Sequence, residues 1–149
     1  MNSIEISNIL QNNIVTKKYF SGVCASDQML QKRKRPYCFV ANTDREGQKG
    51  DHWTCWFITR DNTVYFFDSF GRNPYSRSFP ISFRKFINNR KFRFNPRVLQ
   101  PINGETCGEF CIFVIYYLCL DVDLKSIYNY FTNDLLCNDN IVSQFINQL

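Results

Sequence analysis

One histidine, His52, serves all 149 residues, and none of the seven cysteines forms a Cys-x-x-Cys pair. The first scarcity means that any imidazole chemistry must run through His52. The second argues against zinc, whose ligands usually arrive in closely spaced pairs. Long apolar runs are lacking too. The longest, 110–120, spans 11 residues and is too short to cross a bilayer. The opening residues 1–11 have no basic start followed by an apolar stretch, so a secretory signal is not expected. An odd cysteine count without such a signal predicts reduced thiols in a soluble, intracellular protein, most of them small core residues. No internal repeat and no linker divides the chain, so residues 1–149 are expected to form one domain.

Hydrophobic residues make up 44% of the chain and aromatics 17%, with 15 Phe and 8 Tyr, a composition that excludes disorder. The net charge of +5 is unevenly spread. Residues 32–100 carry 15 basic and five acidic side chains, whereas residues 101–149 carry one basic and six acidic. A middle segment this basic suits a polyanion. Arg84, Lys85, Arg90, Lys91, Arg93 and Arg97, interleaved with Phe, are the candidate phosphate contacts. Lys32 to Arg35 reads as a solvated loop or a nuclear-localisation patch.

The pattern predicts a short amphipathic helix over 3–14 capped by Ser3, and a loop over 19–23. Strands are expected over 37–42, 52–59 and 63–68, the last two forming a hairpin through Arg60-Asp61-Asn62. A surface helix over 81–88 and a strand over 92–99 follow. The unbroken apolar run from Cys107 suits a helix buried on nearly every side. Two more helices are expected, one capped by Asp123 and one by Asn138 or Asp139. The fold class is therefore α+β, a small mixed sheet flanked by helices with a buried central helix.

Four side chains along this pattern carry chemistry. A thiol is a weak nucleophile until it becomes a thiolate. Cys107, at the predicted start of a helix, has the dipole to favour a negative sulfur, and an adjacent imidazole can take its proton. Asp68 ends a strand paired antiparallel to the one His52 begins, so the two share a sheet edge and Asp68 can orient the ring. Gln100 offers an N–H to an oxyanion beside the backbone N–H of Cys107, and Gly108 allows close backbone approach. Each has a plainer reading: a strand-end histidine, a buried thiol, a turn carboxylate, a loop amide. Together they make a nucleophile, a base, an orienter and an oxyanion donor.

The chain resembles the adenovirus-type cysteine endopeptidases (adenain), within the wider fold group of the SUMO-removing proteases. The likeness rests on His52-Trp53, Phe67-Asp68-Ser69-Phe70-Gly71, and Gln100 seven residues before Cys107-Gly108. Asn42-Thr43-Asp44 and Phe20-Ser21-Gly22-Val23 extend it over roughly residues 19–120. It implies Cys107 as nucleophile, His52 as base and then acid, Asp68 as orienting carboxylate and Gln100 as oxyanion donor. It further implies that Trp53 walls a narrow channel selecting Gly-Gly or Gly-x-Gly sites in viral precursor polypeptides. DNA is the implied activator, no cofactor is needed for the chemistry, and the implied setting is the virion and host nucleus, as a monomer. An activating peptide is a further implied partner, but not one linked by disulfide, because no cysteine lies between Cys55 and Cys107. The shorter chain, and aspartate at 68 where mammalian adenains carry glutamate, fit a relative from another virus or a virus-derived mobile element. The competing readings are a protease that deconjugates ubiquitin-like proteins and a non-catalytic basic DNA-binding protein on the same fold.

Overall fold

The computed structural model describes residues 1–149. In chain order the elements are α1 (Ser3–Asn12), β1 (Phe20–Cys24), β2 (Tyr37–Asn42), β3 (Trp53–Ile58), β4 (Val64–Phe67), α2 (Ile81–Ile87), β5 (Phe92–Phe94), α3 (Cys107–Cys119), α4 (Leu124–Tyr130) and α5 (Leu135–Gln148). The strands form one sheet in the order β1-β2-β3-β4-β5. The inner pairs β2–β3 and β3–β4 are antiparallel, and the outer pairs β1–β2 and β4–β5 are parallel. The mixed sheet flanked by helices agrees with the α+β class expected from sequence.

Side-chain alternation along the strands sorts the core onto two faces. Cys38, Val40, Cys55, Phe57 and Phe67 join the cluster around α3, with Ile6 and Leu10 of α1 and Val142 of α5. Tyr37, Phe39, Trp56, Ile58, Val64 and Phe66 face the other way, onto Phe83, Phe86 and Ile87 of α2. That second layer is aromatic, with Trp56 meeting Phe66, Phe83 and Phe86 edge-on at 4.8–5.3 Å. Both faces of the central strands are covered, which is why β2 and β3 read as continuous apolar runs. Eight of the 13 residues of α3 are buried, as its unbroken apolar run predicts. No helix is long and apolar enough to cross a membrane.

Several local expectations change. Asn2, not Ser3, caps α1, because Asn2 and Glu5 close a reciprocal capping box that starts the helix at Ser3. Residues 20–24 form an edge strand instead of a loop, because they pair in parallel with β2. The strand expected over 92–99 stops at Phe94, where the Asn95 side chain turns inward to bond the backbone of Asp68. α5 begins at Leu135 under an Asp134 cap, so Asn138 lies within it. The Asn138 side chain instead ties Leu99 and Thr132 together.

Candidate active site

Register brings the base and its partner together. Asn42 opposite Trp53 closes the β2–β3 ladder, and Thr43 N–H donates to the His52 carbonyl at 2.9 Å, fixing His52 one residue beyond the strand. Asn42 Oδ1 accepts from the backbone N–H groups of Asp44 (2.8 Å) and Asp51 (3.1 Å), folding the 43–51 connection back on itself. Asp68 emerges from the end of β4 beside it. His52 Nε2 donates to Asp68 Oδ1 at 2.5 Å, with both residues buried. Phe70 backs the imidazole, ring centroids 4.9 Å apart at 26°.

Asp68 is the most firmly held group of the site. Its backbone N–H and carbonyl both pair with the Asn95 side chain, at 3.0 and 2.6 Å. Its Oδ2 accepts from the backbone N–H of Arg72 at 3.1 Å and from Arg72 Nε at 2.8 Å. Gly71 makes this turn possible. It has φ 71°, and a Cβ there would lie 2.5 Å from the Arg97 carbonyl carbon and oxygen.

Burial alone would depress the charged form of both partners, and their contacts override it. For His52 the hydrogen bonds and charges of Asp68 and Cys107 raise the pKa from 6.5 to about 9. For Asp68 burial is likewise opposed by His52 and Arg72, which hold the carboxyl below its ordinary value. Because Nε2–H is committed to Asp68, the other ring nitrogen, Nδ1, is the one left for Cys107. A neutral His52 therefore presents a bare Nδ1 to the thiol.

Cys107 is the first residue of α3 and lies partly exposed in a cleft of about 900 Å³ together with His52, Trp53, Phe70 and Arg72. Thr106, at the cap position, makes no capping bond, because its hydroxyl donates to Asp139 at 2.6 Å instead. The first N–H groups of α3 thus remain open to an anion. Cys24 also borders the cleft, but burial pushes its thiol up to about 12 and keeps it protonated. Burial likewise raises Cys111, one turn along from Cys107.

Gln100 is held by its oxygen. Ser69 Oγ donates to Oε1 at 2.5 Å, while Nε2 is buried with no partner. A buried amide N–H without an acceptor is costly unless something arrives to use it. The backbone N–H groups of Leu99 and Gln100 both donate to the Ser69 carbonyl, so one residue anchors the whole Gln100 loop.

Other predicted residues separate. Trp53 borders the cleft, half-buried, with its indole N–H donating to the Met1 carbonyl at 3.0 Å. Gly108 is buried against Met1 and Ile6, 3.2–3.3 Å from where a Cβ would sit, so its smallness seats α1 on α3 and it does not line the cleft. Arg97 is consumed internally by carbonyls of Tyr128, Phe131 and Thr132, and is not a free phosphate contact. Arg90 bonds the Phe86 and Ile87 carbonyls and Asn62, yet still borders a surface concavity of about 530 Å³ with Lys85, Lys32, Arg33 and Arg35. Arg84, Lys91 and Arg93 are exposed outside it. Sequence reasoning missed Arg72 and Asn95. Neither lies in a motif, and only the turn and the end of β5 bring them to Asp68.

No family model matches the chain. A protein of Acanthamoeba polyphaga mimivirus, provisionally named a thiol protease, is 28% identical over 102 residues, covering 62% of this chain and 33% of that protein. The crystal structure of an ASFV protease superposes with a TM-score of 0.58 at 18% identity, covering 95% of this chain and 66% of the other. The chain therefore shares the fold of the ASFV protease. The likeness does not single out the adenovirus-type endopeptidases. The chain spans about a third of the mimivirus protein and under two thirds of the ASFV protease.

Proposed function

We propose that this chain is a cysteine endopeptidase that cleaves viral, or virus-derived, precursor proteins beside glycine. One observation carries the reading. A buried His52–Asp68 pair leaves a ring nitrogen for a partly exposed cysteine at an uncapped helix start, and Gln100 keeps a buried amide donor with nothing to bond.

The mechanism follows from these groups. His52 Nδ1 takes the Cys107 proton, and Asp68 steadies the imidazolium. The thiolate attacks the scissile carbonyl, and the oxyanion accepts from Gln100 Nε2 and the Cys107 N–H. The imidazolium then protonates the leaving amine. A water molecule, deprotonated by His52, hydrolyses the acyl-enzyme and frees Cys107. By the likeness to the adenovirus-type endopeptidases, Trp53, which borders the cleft with its indole N–H on the Met1 carbonyl, is the residue that selects glycine.

The test is cleavage of Gly-Gly and Gly-x-Gly peptides by the wild type and by Cys107→Ala. Cleavage by the wild type alone supports the reading, and equal cleavage by both removes Cys107 from the mechanism. Selective cleavage of a ubiquitin-like conjugate would move the assignment to deconjugation.

DNA is the proposed polyanionic partner. Two neighbouring concavities, of about 530 and 360 Å³, share Lys32, Arg33 and Arg35, and no acidic residue lines either. Lys18, Arg60, Lys85 and Arg90 complete this basic surface. DNA affinity that falls steeply with salt, and weakens in a Lys32→Gln/Arg33→Gln variant, is expected. Salt-independent binding would contradict it.

A further inference from the structure

We propose that Arg72 is a positioning residue of this centre, dividing the Asp68 carboxylate between two cations so that His52 is not held too tightly as an imidazolium. The inference rests on the cysteine-peptidase reading for its consequence, but its geometry stands on its own. Asp68 Oδ1 meets His52 Nε2 at 2.5 Å, while Oδ2 meets Arg72 Nε at 2.8 Å. The two cations therefore sit on opposite oxygens of one fully buried carboxylate.

The placement of Arg72 is built in. Gly71 N–H donates to the Asp68 carbonyl at 2.8 Å, and the Arg97 backbone closes off the turn. The guanidinium lies over Phe79 at 4.3 Å and beside Phe70 at 5.6 Å, the same Phe70 ring that backs His52. A side chain held by stacking, by its Nε and by its own backbone N–H loses little freedom when it acts.

Charge counting gives the consequence. With thiol and imidazole neutral, Asp68 and Arg72 cancel. With thiolate and imidazolium formed, the four groups again cancel, so the proton moves from sulfur to nitrogen without changing the net charge of the cluster. Removing Arg72 leaves a net negative charge in a buried site, and that favours keeping the proton on His52. A more tightly held proton is given less readily to the leaving amine, so turnover falls while substrate binding does not. The other charged groups bordering the cleft are the Met1 α-amino group, Asp44, Arg45, Glu46, Lys49, Asp51 and Glu105, and none is bonded to Asp68.

Because His52 is the only histidine, its ring signals can be titrated by NMR without ambiguity in the wild type, Arg72→Gln and Arg72→Lys. Arg72→Gln should raise the His52 midpoint by at least about half a pH unit. It should also lower kcat about tenfold with KM within about twofold. Arg72→Lys, which keeps the charge, should return the midpoint towards wild type. If Arg72→Gln fails to fold, the Lys variant carries the test alone: its ammonium lacks the fork, so the midpoint should rise by a smaller amount with kcat falling in step, and a fall in kcat at an unchanged midpoint would overturn the proposal. An unchanged or lowered midpoint in Arg72→Gln, or a rise in KM at constant kcat, would overturn the proposal. The titration needs no substrate, so its outcome is separate from failure of the peptidase reading, which would appear as wild-type Cys107 labelling no faster than Cys119 or Cys137.

Discussion

Asp68→Asn is the sharpest single perturbation of this site. In the wild type, Arg72 gives two N–H bonds to Oδ2, at 2.8 and 3.1 Å, and His52 gives one to Oδ1 at 2.5 Å. Asparagine has the same shape with one oxygen, and the two Arg72 donors claim it. Its NH2 then faces His52 Nε2, which must accept instead of donate. The ring proton is forced onto Nδ1, the nitrogen that should take the thiol proton. The imidazolium also loses its anionic partner. The rise of His52 from 6.5 to about 9 corresponds to about 3 kcal/mol, and Asp68 contributes more of it than Cys107. A hydrogen bond to a charged group contributes about 2 kcal/mol, so losing the bond between Asp68 and the imidazolium predicts a fall in kcat/KM of roughly thirtyfold, before the tautomer change is added. Peptide hydrolysis measured beside the thermal unfolding midpoint is the assay. Activity within about threefold of wild type, with folding unchanged, would refute the reasoning.

The same pair makes stability depend on pH. His52 has a raised pKa in the folded protein, so its contribution is complete below about 6.5 and is lost as pH rises through about 9. Urea unfolding should show a decline across that window which His52→Gln abolishes. Asp68, held below its ordinary value, acts oppositely, and its contribution disappears only as the solution turns acid. Gln100→Glu keeps the acceptor for Ser69 but replaces the free donor, so kcat should fall about a hundredfold with little change in KM; a KM effect alone would make Gln100 a binding residue. Gly71→Ala places a methyl 2.5 Å from the Arg97 backbone at φ 71°, and should lower stability by about 2 kcal/mol or more in denaturant titration.

The parts of this site legible in the sequence are those set by strand ends and helix starts. His52 before β3, Asp68 after β4 and Cys107 opening α3 follow from hydrophobic runs and the polar residues that end them, and the hairpin puts the first two at one edge. The long apolar run announced α3 because a helix buried on nearly all sides cannot alternate. Residues 20–24 were illegible as a strand because an edge pairing depends on β2, far along the chain. Arg72 and Asn95 were illegible for a related reason: their roles depend on a glycine turn and a short strand converging on Asp68. Arg97 looked like a free cation because sequence does not reveal which carbonyls lie beneath it. Gly108 read as a substrate-facing residue because only the packing of α1 shows that Met1 and Ile6 fill that space.

The central claim is an activated thiol at Cys107, and covalent labelling tests it most directly. The protein should be treated with a mild thiol-directed electrophile at neutral pH, and the adducts mapped by mass spectrometry over time. Cys119 and Cys137, also partly exposed, serve as internal standards. The account predicts one fast adduct at Cys107 that slows to the rate of the standards in His52→Ala. Labelling of Cys107 no faster than Cys119 and Cys137, with or without DNA and unaffected by loss of His52, would contradict it.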